Sequence, residues 1–302
     1  MEPHDAPPPP PAAPSAAYAP RRATDDPDVF LIPDDQLPPG LAERVAAAAE
    51  PVPARAASTV VLVRDSAEGP QALLLRRHGR AGFAADAWVF PGGTVDGADR
   101  DPALSELMDG PPPSWWAARM ALADEGEALG YVAAAIREAF EETGILLARG
   151  TSALGEGQAT ELRRALLAGE IQLADVARTA GVTLCAGDMC YVAHWITPAP
   201  EPRRYDTRFF LAAVTPEDVC VPHAAEMTDS AWLSPRAAVD RYRRGEMKLL
   251  PPTVKTLERI CGFPSVAAIR DSLRDEPVPA RLPVMERRPD GIAIVVRDQG
   301  MS

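Results

Sequence analysis

Arg137-Glu138-Ala139-Phe140-Glu141-Glu142-Thr143-Gly144-Ile145 sets three carboxylates within a turn and a half of helix. With about 100° of rotation per residue, Ile136 and Phe140 point one way while Glu138, Glu141 and Glu142 share the opposite side. Glu138 and Glu142 form a like-charge pair one turn apart, which costs about 0.2–0.5 kcal/mol unless a positive charge lies between them. A hard divalent cation answers that need. Glutamate oxygens suit Mg²⁺ or Mn²⁺, and Mg²⁺ commonly binds substrate phosphates as well. The competing reading is a solvated acidic helix face.

The neighbouring residues favour a site. Arg137 lies four residues before Glu141 and braces it as an ion pair, leaving the other two carboxylates free. Gly144 stands where a left-handed cap ends a helix, so the helix stops where the carboxylates stop. Upstream, Trp88-Val89-Phe90-Pro91-Gly92-Gly93 reads as a strand entering a glycine turn, at which bare backbone approaches a ligand or metal.

These residues resemble the signature of the Nudix hydrolases, G-x5-E-x7-R-E-U-x-E-E-x-G-U, with U aliphatic. Arg137, Glu138, Glu141, Glu142, Gly144 and Ile145 fill its second half, with Ala139 at the first U. The first half is interrupted. The signature has thirteen residues between its opening glycine and its arginine, whereas residues 94–136 separate Gly93 from Arg137, an excess of about thirty. Glu127 leaves nine residues before Arg137 where the signature has seven, and Leu129 holds that place, so Glu127 receives no role. An insertion at this point resembles the subgroup related to the animal acyl-CoA diphosphatases. That likeness extends through Leu73-Leu74-Leu75-Arg76-Arg77, Gly82-Phe83 and Val89-Phe90-Pro91-Gly92-Gly93-Thr94-Val95-Asp96.

The resemblance implies an α/β/α sandwich with a mixed central sheet, and metal-assisted cleavage of a diphosphate by water. It implies Glu138, Glu141 and Glu142 as ligands of Mg²⁺ or Mn²⁺, with Arg137 orienting Glu141 and the Gly92 carbonyl completing the shell. Glu226, six residues before Trp232-Leu233-Ser234-Pro235, is the outside candidate for a late catalytic carboxylate, against an exposed loop glutamate. On the substrate side stand Gly93, Arg77 and Arg208. Arg76 and Arg77 alternate across a strand, so at most one faces the cleft, and Arg77 is ranked first. Arg208 either pairs with phosphate or forms a salt bridge to Asp206 or another acid. Phe209 and Phe210 read as core, and His223 is left outside the catalytic set.

The leading substrate is a nucleoside diphosphate derivative, CoA or acyl-CoA, cleaved to 3′,5′-ADP and a 4′-phosphopantetheine product. ADP-ribose, NADH or a nucleotide sugar is the alternative substrate. A binding or regulatory module without useful turnover is the alternative of another class, supported by the displaced early glutamate and the insertion. A net charge of −12 argues against broad binding of nucleic acid or anionic membranes. RNA decapping lacks a basic groove and an aromatic RNA-binding motif.

Residues 1–53 hold fourteen prolines, Pro7 to Pro11 consecutive, and read as a disordered Pro/Ala-rich tail. Its acidic start lacks the form of a secretory signal, and no stretch reaches the ~18–20 apolar residues of a membrane span, so the expectation is a cytoplasmic protein. The Nudix domain is assigned to 54–265 and a C-terminal extension to 266–302. Strands are expected at 58–64, 71–77, 87–90, 190–197 and 207–214, and helices at 114–122, 129–143, 160–168, 173–180, 235–244 and after Pro252. Residues 97–130 form the insertion. Its Trp115-Trp116 pair packs on the domain, stacks on a substrate or forms a homodimer contact. Cys185, Cys190, Cys220 and Cys261 have neither zinc nor disulfide spacing and read as free thiols.

Overall fold

The computed structural model describes residues 20–22, 26–47, 50–79, 84–150 and 154–296. Its strands are β1 (Arg21–Arg22), β2 (Val29–Pro33), β3 (Arg55–Arg64), β4 (Gln71–Arg77), β5 (Trp88–Val89), β6 (Gly92–Thr94) and β7 (Ala148–Arg149). They continue as β8 (Thr183–Leu184), β9 (Cys190–Ile196), β10 (Tyr205–Ala213), β11 (Met227–Leu233), β12 (Ala280–Arg281), β13 (Val284–Arg288) and β14 (Gly291–Val295). The helices are α1 (Leu41–Ala47), α2 (Ala103–Leu107), α3 (Pro113–Met120), α4 (Glu125–Thr143), α5 (Glu156–Leu167), α6 (Leu173–Ala180), α7 (Pro235–Arg243), α8 (Pro251–Arg259) and α9 (Val266–Leu273).

Val60 through Val63 on β3 are all buried, as a strand covered on both faces requires. The central sheet runs β11-β4-β3-β10-β9-β12, with β10 parallel to β3 and β9 antiparallel to β10, so it is mixed. One face, with Val61, Val63, Phe209 and Leu211, packs on α7, α8 and α9. The other, with Val60, Leu62, Leu73 and Phe210, packs on α4 and the insertion residues Trp116, Ala117 and Met120. This is the expected sandwich.

The hairpin of β3 and β4 opens past its first two pairs, and β5 and β6 enter the gap. β5 bonds to β4 and β6 to β3, which sets Gly92 opposite Thr59 and Gly93 opposite Ser58. A Cβ at Gly92 would lie 2.5 Å from the Ser58 carbonyl oxygen, so glycine is required for this approach.

Two expectations are corrected. Residues within the Pro-rich segment form β1, β2 and α1, and β2 joins β14 and β13 in a second sheet ordered β1-β2-β14-β13. The reason is the run Val29-Phe30-Leu31-Ile32, whose Phe30 and Ile32 are fully buried in the same core as Trp195 and Phe209. Pro7 to Pro11 lie outside the described residues. The extension from 266 likewise shares that core through Val266, Ile269, Leu273, Ile292 and Ile294. β11 was not foreseen, because Met227-Thr228-Asp229-Ser230 is polar and only partly covered at the sheet edge. No helix among the described residues is long and apolar enough to cross a membrane.

Candidate active site

α4 begins four residues earlier than its periodicity suggests, since Asp124 caps it by accepting from the Glu127 amide at 2.9 Å. Residues 125–130, read as insertion, are therefore its first turns. The helix ends at Gly144, φ +76°, whose N–H reaches the Phe140 carbonyl. Ala128 through Phe140 are buried, so no solvated face exists along that length. Glu138 is 9% exposed and Glu142 6%, which excludes the acidic-surface reading.

Arg137 uses all five of its N–H donors. Nε and Nη2 meet Asp99 Oδ1 and Oδ2, both at 3.0 Å, and Nη2 also reaches the Thr94 carbonyl at 2.8 Å. Nη1 donates to Glu138 Oε1 at 2.8 Å and Glu141 Oε2 at 2.9 Å. Asp99, 2% exposed, was missed in the sequence. Counting back from Arg137 finds no acid, but counting forward from Gly93 passes residues 94–98 and lands on Asp99, the place of the early signature glutamate. The insertion therefore follows this acid, and the acid still grips the arginine.

Gly93 carries the carboxylate of Glu138 against its backbone, where a Cβ would collide with it. Gly92 donates its N–H to Glu142 Oε2 at 3.1 Å. Burial pushes the Glu138 carboxyl up to about 7, against the attraction of Arg137. Burial also raises Glu141, and raises Glu142 well above the usual carboxylate range, with Glu138 and Glu226 adding to the latter and Arg77 opposing it. The loop 221–226 is tied to the end of α4 by Val221 N–H to the Thr143 carbonyl and His223 N–H to the Glu142 carbonyl, and the Glu226 N–H bonds back to the His223 carbonyl.

Glu138 and Glu142, buried against the Gly92-Gly93 turn, and the partly buried Glu141 are acids whose charged forms are disfavoured, a donor set of the hard-oxygen type that Mg²⁺ and Mn²⁺ take. Among the described residues no three such groups already converge on one point. The reason is visible in the bonds above: Arg137 draws Glu138 and Glu141 to itself, while Glu142 turns to Gly92.

A cavity of about 220 Å³ opens on Glu142, Gly92 and Arg77 and continues along Trp195, Tyr205, Thr207 and Phe209 to Met285 and Ile294. Arg77 faces it, whereas Arg76 pairs with Asp86 at the surface. Arg208 does not line it. On β10, Thr207 and Phe209 point to the cavity, so Arg208 lies on the opposite face, buried beneath Tyr131 and bonded to Tyr191 Oη and the Met120 carbonyl. The expected substrate role is thus corrected to a brace for the insertion, with Asp206 3.5 Å away. No cavity residue comes from 97–130. Trp116 is buried edge-on against Phe210, and Trp115 remains exposed. Gly82 and Phe83 lie outside the described residues. The four cysteines are free.

A family model described as the NUDT19 Nudix domain matches residues 125–260. The chain is 30% identical over 236 residues to acyl-coenzyme A diphosphatase NUDT19 of Gallus gallus, covering 64% of this chain and 62% of that protein. To the Homo sapiens protein of the same name it is 31% identical over 237 residues, covering 67% and 63%. It spans less than two thirds of the length of these curated relatives. A crystal structure of a NUDIX hydrolase from Alicyclobacillus acidocaldarius superposes with a TM-score of 0.62 at 26% identity, over 75% of this chain and 99% of the other. The mixed-sheet sandwich, the Asp99–Arg137 grip and these relatives agree: the chain resembles the Nudix hydrolases and, among them, the acyl-CoA diphosphatase subgroup.

Proposed function

We propose that this chain hydrolyses the diphosphate of CoA or acyl-CoA, with Mg²⁺ or Mn²⁺, to 3′,5′-ADP and (acyl-)4′-phosphopantetheine. The observation that carries the reading is a cavity joining the buried Glu142 carboxylate and Arg77 to an apolar wall, which suits a diphosphate bearing an apolar arm. The names of the relatives point the same way.

A divalent cation bound at the helix supplies Lewis-acid neutralisation of the diphosphate oxygens. Glu138 and Glu142 hold it in this reading, with Glu141 as a third ligand and the Gly92 carbonyl alongside. Arg137 fixes the carboxylates of Glu138 and Glu141, and Asp99 fixes Arg137. Arg77 holds a phosphate oxygen through its guanidinium, whose Nε is buried with no acceptor among the described residues. Gly93 lets the substrate-bearing turn lie against the helix. Glu226, exposed on the loop bonded to the end of α4, accepts the proton of the attacking water in this reading.

The test is a panel of CoA, octanoyl-CoA, ADP-ribose, NADH and UDP-glucose with Mg²⁺ or Mn²⁺, products identified by mass. The expected result is 3′,5′-ADP with the phosphopantetheine product, at a kcat/KM at least about tenfold above the others, roughly 1.4 kcal/mol at the transition state. Faster cleavage of ADP-ribose, NADH or the sugar nucleotide would replace the substrate assignment.

A further inference from the structure

We propose that the sheet built from the two ends of the described chain forms one wall of an acyl-arm site, and that Trp195 donates its indole N–H to a carbonyl of that arm. The proposal rests on the CoA reading above and assigns the part of the site that reading leaves open.

Met285 and Ile294 are a cross-strand pair of β13 and β14, both less than a tenth exposed, and both line the cavity that opens at Glu142. Pro251 and Pro283 add rigid apolar surface. At about 220 Å³ the space is smaller than the roughly 300–1,000 Å³ of pockets that enclose a whole drug-sized ligand, so it takes one part of the substrate. The nucleotide half carries phosphate and would need cations. Arg77, beside Glu142, is the cation among the described lining residues, and Glu201 is a lining acid. The walls therefore suit the thioester arm, with the diphosphate at Arg77 and the nucleotide outside.

A second observation points to the same occupant. Trp195 is 3% exposed and lines the cavity, and its Nε1 is buried with no acceptor among the described residues. A buried N–H without a partner is uncommon and asks for an acceptor. The arm carries amide and thioester carbonyls, whereas a plain hydrocarbon carries none. The Arg281 guanidinium lies 5.5 Å from the centre of the indole ring and helps hold its plane.

The experiment is calorimetric titration of the full chain with acetyl-, octanoyl- and palmitoyl-4′-phosphopantetheine, which needs no turnover. The octanoyl compound should bind more tightly than the acetyl one. Met285→Trp should weaken the octanoyl compound by about tenfold or more, the loss of roughly two buried methylenes. Met285→Ala should shift preference toward the palmitoyl compound, so damage to the fold, which would weaken all alike, is distinguishable. Trp195→Phe should weaken every chain length by about 2- to 12-fold, one net hydrogen bond. Equal affinity for the acetyl and octanoyl compounds, or parallel effects of both Met285 variants, would overturn the wall assignment. An unchanged Trp195→Phe would overturn the hydrogen bond. Chain-length-dependent binding without CoA hydrolysis would sink the proposed function and leave this site standing. Hydrolysis without chain-length dependence would do the reverse.

Discussion

Asp99 decides where Arg137 points, and Arg137 decides where Glu138 and Glu141 point. Both members of the Asp99–Arg137 pair are buried, with side-chain exposures of 2% and 8%, so removing the acid leaves a guanidinium charge short of its bidentate partner. Asp99→Ala should therefore cost about 3–5 kcal/mol in urea unfolding, the range for breaking a buried pair. Asp99→Glu, which keeps the carboxylate, should recover part of both stability and kcat. Equal stability of the wild type and the alanine variant would remove Asp99 from this role. The helix half of the site was legible because Arg137 to Gly144 sit at fixed helical spacing. Asp99 was not, since its register runs from the glycine turn while the insertion breaks the count from the helix. Arg208 misled for a different reason: alternation along a strand is plain in sequence, but which parity faces the cavity is settled only by the neighbouring strands.

At the scale of the element, α4 stores unfavourable charge. Glu138 rises from its ordinary value to about 7 through burial, and Glu142 is raised as well. A carboxyl whose folded pKa lies above its unfolded value favours folding below the unfolded value, about 4.3, and loses that contribution as pH climbs through about 7. The cation-free protein should thus lose stability across that window, and a bound divalent cation, which competes with protons, should restore it. The rise in Tm on adding Mg²⁺ or Mn²⁺ should be larger at pH 8 than at pH 6, measured by differential scanning fluorimetry. A rise independent of pH would count against ligation by these groups. The helix's C-terminal end was readable from Gly144, whereas its start was obscured because Gly126 and Gly130 weaken the periodicity. Gly130 is there for space, as a Cβ would lie 2.8 Å from Arg100 Cγ.

Across the whole molecule, the sandwich was legible in its central strands and helices, and the second sheet was not. Composition marks residues 1–53 as proline-rich, yet Val29 to Ile32 pair with Gly291 to Val295, a contact between opposite ends of the chain that no local pattern announces. That pairing holds the sheet that sets Met285 and Ile294 into the same cavity as Glu142 and Arg77. The central claim is that the α4 carboxylates make this a hydrolase and not a Nudix-like binding module. The direct measurement is kcat/KM for CoA hydrolysis by Glu138→Gln against the wild type, at saturating Mg²⁺ and with circular dichroism confirming the fold. The account predicts a loss on the order of 10²–10³-fold, the scale for removing one electrostatic partner of the transition state, together with weakened metal affinity. Unchanged hydrolysis and unchanged metal affinity would contradict it.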